Sequence, residues 1–167
     1  MSEVFIIDAI RTPIGSFLGQ YNKTESVELG SLCLQGIFDR NKILNKKHVE
    51  GLILGQVLTA GLGMNTARQV LLKSGFLQSS FAYCVNQVCG SGMRAVMETA
   101  LKIKSKENQL LVAGGQESMS LARHTTLQRA GAKLGNNMMT DSILSEGLTD
   151  VFSKDHMGIT AENVARR

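Results

Sequence analysis

Apolar residues come in short runs, separated by turn residues and by stretches of helical spacing. Glu3 to Ile10 is almost continuously apolar, which predicts a strand buried on both faces. Pro13 ends it, because proline fixes its own φ and holds Thr12 extended, so no helix can follow at once. Val27, Ser31, Leu34 and Phe38 then recur at helical spacing, with Thr24 or Ser26 as the expected cap. Val49 to Val57 reads as a second strand. Asn65 or Thr66 should cap a short helix, Ala67 to Lys73, that stops at Gly75. Phe81 to Val88 reads as a third strand, Gly90 to Lys102 as a helix, and Gln109 to Ala113 as another buried strand. Strands alternating with helices predict an α/β fold: a mostly parallel sheet with helices on its faces.

Periodicity weakens after Ser118. Ser120 to Val151 reads as a long excursion with short helices, and connections of that length usually carry function or an interaction surface. A last helix is expected from a Thr160 cap to Arg167, and it carries no terminating glycine.

Cys89 falls where the third strand turns into the following helix. The first amides of a helix lack intrahelical partners and carry partial positive charge, so they stabilise negative charge placed beside them. A sulfur there is set up as a nucleophile, and the same amides can hold a carbonyl oxygen as it gains charge. Gly90 and Gly92 clear side chains from its surroundings. In parallel sheets ligands bind beyond the carboxyl ends of the strands, which is where Cys89 should lie. Cys33, inside a helical stretch, and Cys84, mid-strand, read as packing residues. The cysteines form no CxxC pair, and His48, His124 and His156 are scattered, so no metal site is expected.

Composition narrows the function classes. At 167 residues, 43% hydrophobic and 19% charged, the chain is an ordinary globular one, large enough for a sizeable core. No run approaches the roughly 18 apolar residues of a membrane span. The amino end lacks a basic region and a cleavage site, and three cysteines without secretory features fit a reducing, cytoplasmic setting. A net charge of +4, without a basic run interleaved with aromatics, gives nucleic-acid binding no support.

Five blocks follow one another along the chain: Ala9-Ile10-Arg11-Thr12-Pro13-Ile14-Gly15, Asn65-Thr66-Ala67-Arg68-Gln69, Asn86-Gln87-Val88-Cys89-Gly90-Ser91-Gly92, Ala113-Gly114-Gly115-Gln116-Glu117-Ser118-Met119, and His156-Met157-Gly158-Ile159-Thr160-Ala161-Glu162-Asn163-Val164-Ala165. In this order they resemble the thiolase family, specifically its acetyl-CoA acetyltransferases. The Arg-Thr-Pro-Ile-Gly and His-Met-Gly-Ile-Thr blocks favour thiolase over the ketoacyl synthases, relatives that share the fold and the cysteine nucleophile.

The resemblance implies a thiolase-like fold, with residues 1–119 as the nucleophile half and residues 120–167 as the start of a loop domain that serves oligomerisation and the CoA pocket. It implies that Cys89 accepts the acyl group and that His156 and Met157 line the pocket for the pantetheine arm and acetyl group. Glu117 and Arg68 read as structural. The implied reaction is a reversible Claisen condensation of two acetyl-CoA to acetoacetyl-CoA, with coenzyme A thioesters as substrates and no resident cofactor. A homo-oligomer, dimer or tetramer, is expected. Family members are more than twice this long, and their Gly-His-Pro, Asn-Glu-Ala-Phe and second Cys-x-Gly patterns do not occur here. The expectation is therefore a segment lacking the C-terminal half, or one chain of a split enzyme with a complementary partner, inactive alone in condensation. The alternative is a non-catalytic CoA-binding or oligomerisation module.

Overall fold

A computed structural model describes residues 3–131 and 133–167. The chain divides into two compact units, Met1–Leu121 and Ala122–Arg167.

The first unit is built on a three-stranded parallel sheet in the order β2-β1-β3, from β1 (Gly51–Gly55), β2 (Phe81–Val85) and β3 (Leu111–Gly115). Gly55 of β1 is in register with Val85 and Gly115, so all three strands end together. β1 is flanked on both sides and all five of its residues are buried, as its unbroken apolar run requires.

Successive side chains of a strand point to opposite faces. Leu52 and Leu54 pack with Val27, Leu34 and Phe38 of α1 (Ser26–Arg40) and with Ala67, Val70 and Leu71 of α2 (Thr66–Lys73). Phe38 meets Phe76 edge-on, ring centroids 5.0 Å apart. Gly51, Ile53 and Gly55 share the other face, where α3 (Ser91–Lys104) lies. α3 turns its small residues Ser91, Ala95 and Thr99 to the interior, which lets it approach the sheet closely. Its larger residues Met93, Val96, Met97 and Leu101 remain exposed.

Several expectations are corrected. Glu3 to Ile10 joins no ladder, and Phe5, Ile6 and Ile7 are 74%, 81% and 62% exposed. Apolar content sets what a segment could bury, but a strand also needs a neighbour for its N–H and C=O groups, and none among the described residues pairs with it. The segment is tied instead to the end of α1, where the Asp8 carboxylate pairs with Arg40 and Asn41. Neither Thr24 nor Ser26 caps α1. Glu25 holds the cap position, and the Ser26 hydroxyl is occupied by an amide hydrogen bond from Gln56 at 2.9 Å. Asn65 does cap α2, its Oδ1 accepting from Arg68 N at 3.0 Å. β3 lies two residues later than the apolar run suggests.

In the second unit, β4 (His124–Thr125) pairs antiparallel with β5 (Thr140–Asp141) and a π turn covers Ile143–Leu148. α4 runs over Met157–Ala165. It starts before Thr160 because the His156 ring supplies the cap, Nδ1 accepting from Gly158 N at 3.0 Å. Histidine is not among the usual capping residues, so the sequence points past it.

Candidate active site

Five residues, Asn86 to Gly90, carry the chain from β2 to α3, and hydrogen bonds within the turn fix their path. Asn86 Oδ1 accepts from Val88 N at 2.9 Å, and the Ser91 hydroxyl accepts from Gln87 N at 2.8 Å while donating to Val88 O at 2.6 Å. Gly90 N and Ser91 N donate to Gln87 O and Val88 O. The result places Val88 at φ +48°, left-handed backbone that a β-branched residue rarely adopts. Such strain costs on the order of 1–3 kcal/mol and persists where the surroundings enforce it. The next residue is Cys89, whose side chain is exposed. No side chain caps α3 at Gly90; Ser91 N is taken by Val88 O, which leaves the amides of Gly92 and Met93 without an intrahelical acceptor.

Glycines seat this turn on the sheet. A Cβ on Gly55 would lie 2.3 Å from the Ser91 carbonyl carbon and 2.4 Å from Gly92 N. A Cβ on Gly115 would lie 3.4 Å from Gly92 Cα. The first turn of α3 therefore rests on the bare ends of β1 and β3, beyond which Cys89 stands.

Charged neighbours are committed to structural contacts. On α3, Glu98 accepts from Arg94 Nε at 2.8 Å and from the Tyr83 hydroxyl at 3.1 Å. The Arg94 hydrogen bond holds Glu98 below the usual carboxylate range, and burial, with Glu98 beside it, pushes Tyr83 up to about 12. Glu117, just past β3, receives Val57 N at 2.9 Å and Leu58 N at 3.3 Å. Burial raises its carboxyl above the ordinary range despite those amides. Arg68 donates to the carbonyls of Ser80 and Gln78. The unit's one histidine, His48, precedes β1 and so lies at the other end of the strands from Cys89.

Cys84 has a defined setting: its sulfur sits 3.1 Å from Thr66 Oγ1 and accepts from Ala67 N at 3.3 Å. Cys89 belongs to the first unit, whereas His156 and Met157 stand side by side at the start of α4 in the second. With Nδ1 accepting from Gly158, His156 presents its other ring nitrogen as an N–H donor.

A buried polar cluster at the strand ends was missed from sequence. Gln56 follows Gly55 and Gln116 follows Gly115; Gln116 Nε2 donates to Gln56 Oε1 at 2.9 Å, and the Thr66 hydroxyl donates to the same oxygen at 2.5 Å. The available signal was a Gly-Gln pair closing each of two apolar runs.

The N-terminal domain model of the thiolases matches residues 4–167. The chain is 46% identical over 165 residues to an acetyl-CoA acetyltransferase of Paracoccus denitrificans, covering 99% of this chain and 42% of that protein. It is also 46% identical to a probable acetyl-CoA acetyltransferase of Escherichia coli strain K12, over 99% of this chain and 42% of that one. The fold superposes on the crystal structure of the Acat5 thiolase of Ascaris suum in complex with coenzyme A, with a TM-score of 0.89 and 34% identity, over 95% of this chain and 41% of the other. The chain thus spans about 42% of the length of the acetyltransferases it matches. With the cysteine turn, the glycine seat and the parallel sheet all in place, the match from residue 4 to residue 167 shows that the chain belongs to the thiolase family.

Proposed function

We propose that Cys89 is the acyl-accepting nucleophile of a reversible Claisen condensation joining two acetyl-CoA into acetoacetyl-CoA. The observation that carries this reading is the position of its exposed sulfur, on a strained turn ahead of an uncapped helix at the carboxyl ends of parallel strands. The Cys89 thiolate attacks the acetyl carbonyl carbon, and the displaced electron pair moves to oxygen, where the backbone N–H of Cys89 stabilises it, the other amides of the turn being committed within it. Collapse breaks the carbon–sulfur bond to coenzyme A, which leaves as a thiolate and takes up a proton. A second acetyl-CoA then gives its α proton to a base, and the carbanion attacks the acetyl carbon on Cys89. Cys89 departs as thiolate, so the products are acetoacetyl-CoA and free coenzyme A. His156 and Met157 bind the pantetheine arm and acetyl group, with the outward N–H of His156 as the polar contact.

By the family resemblance, the base for the second step and the histidine partner for Cys89 belong to the part of the relatives' length that this chain does not span. His48, the first unit's one histidine, lies at the wrong end of the sheet. Met93, Val96, Met97 and Leu101 of α3 are 72%, 45%, 51% and 59% exposed, a stripe suited to being covered. The excursion from Ser120 to Gly147 serves association of copies into a homo-oligomer. The 167-residue chain alone is accordingly limited to acyl transfer, without condensation.

Isotope exchange tests the reading. Labelled coenzyme A should enter unlabelled acetyl-CoA in the presence of the chain, and Cys89→Ala should abolish the exchange. Coenzyme A binding without exchange would favour a non-catalytic binding module. Acetoacetyl-CoA synthesis by the chain alone would overturn the division of labour.

A further inference from the structure

We propose that Gln116, acting through Gln56, is a positioning residue for Cys89; this rests on the nucleophile assignment above. The two amides lie one residue beyond the glycines on which α3 is seated. Ser91 binds the cysteine turn through Gln87 N and Val88 O, and the Ser91–Gly92 peptide lies directly on Gly55. Any sideways slip between the ends of β1 and β3 therefore moves the sulfur.

Gln116 and Gln56 prevent that slip. Gln116 N donates to Gly55 O at 3.0 Å, and the side chains repeat the tie with Gln116 Nε2 donating to Gln56 Oε1 at 2.9 Å. Gln56 cannot flip its amide, because Nε2 is spent on Ser26 Oγ at 2.9 Å and Leu58 O at 3.2 Å. Gln116 is fixed in turn, since reversing it would set two oxygens against each other. Its Oε1 has no hydrogen-bond partner among the described residues and lies against Gly30 of α1, where a Cβ would come to 2.1 Å. A glycine inside a helix and a buried unpaired oxygen both lower stability, and an apolar side chain of similar size at position 116 would at least remove the second penalty. Both features are explained if the pair serves alignment more than stability.

The test is alkylation of the full 167-residue chain by iodoacetamide, read at each cysteine by peptide mass spectrometry, for wild type, Gln116→Met and Phe38→Leu. Gln116→Met keeps the volume and removes the donor. Phe38→Leu loosens the core away from Cys89. Loss of positioning slows Cys89 by about two- to tenfold, since iodoacetamide occupies no site and its rate follows only the groups beside the exposed sulfur, while Cys33 in α1 is unchanged. General destabilisation instead speeds Cys33 and leaves the already exposed Cys89 alone, and Phe38→Leu calibrates that pattern. The expected result is slow Cys89 labelling in Gln116→Met only. Cys89 labelling at the wild-type rate in Gln116→Met, or equal slowing in Phe38→Leu, overturns the inference. If wild-type Cys89 reacts no faster than the same residue in a short unfolded peptide, the nucleophile assignment itself fails.

Discussion

Gly55→Ala puts the seating of Cys89 under direct strain. The added Cβ would stand 2.3 Å from the Ser91 carbonyl carbon, whereas ordinary contact begins near 3.4 Å, so about 1 Å of separation has to be found. The atoms in the way are backbone, and no rotamer change relieves them. Either α3 lifts from the sheet or β1 bends, and overpacking of this kind costs about 1–3 kcal/mol. Against a typical total of about 5–15 kcal/mol the chain stays folded, with Tm lower by roughly 2–4 °C per kcal/mol. The kinetic effect is larger, because Ser91 holds the cysteine turn, and a shift near 1 Å can cost about a hundredfold in rate. Acylation of Cys89 by acetyl-CoA should fall on that scale, and its alkylation by a free reagent by less. Gly114→Ala is the neighbouring control: its Cβ meets Leu54 Cδ2 at 3.5 Å, an ordinary contact. Wild-type Tm and wild-type Cys89 reactivity in Gly55→Ala would refute the claim that the glycine seat locates the nucleophile.

Three further outcomes are expected. Burial raises the Glu117 carboxyl above its ordinary value of 4.5, so its stabilising contribution is complete below that pH and is lost as pH rises through the folded-state value. Glu117→Gln should therefore gain stability relative to wild type between pH 4 and 7, and a difference that stays flat with pH in urea unfolding would contradict this. Val88→Gly removes the left-handed strain at φ +48°; unfolding experiments should show stability unchanged or raised by up to about 1 kcal/mol, and a clear loss would show that Val88 is not strained. His156→Ala should cost the start of α4 about 1 kcal/mol, seen as lower helix content or faster amide exchange over Met157–Ala165, and His156→Asn should restore it; identical behaviour of the two variants would show that the ring cap is idle.

Local chemistry was the readable part. A strand running into a glycine-flanked cysteine and then a helix needs no distant partner to be recognised, and the turn at Asn86 to Ser91 forms as that pattern requires. What the sequence concealed depends on remote contacts. Glu3 to Ile10 has the composition of a strand, yet a strand exists only with a neighbour. Ser26 looked like a cap until its hydroxyl met Gln56, thirty residues away. Gln56 and Gln116 are separated by sixty residues, and only the parallel register of β1 and β3 brings their amides together. His156 was singled out only through its block; its cap on α4 comes from an imidazole in a role that amino-acid preference does not suggest.

The role proposed for Cys89 is to take the acetyl group from acetyl-CoA. Intact mass of the purified chain after incubation with acetyl-CoA, beside Cys89→Ala, addresses it directly. One acetyl adduct per chain is expected, and it should disappear in Cys89→Ala. A folded wild-type chain that gains no mass, or an adduct that survives in Cys89→Ala, would contradict it.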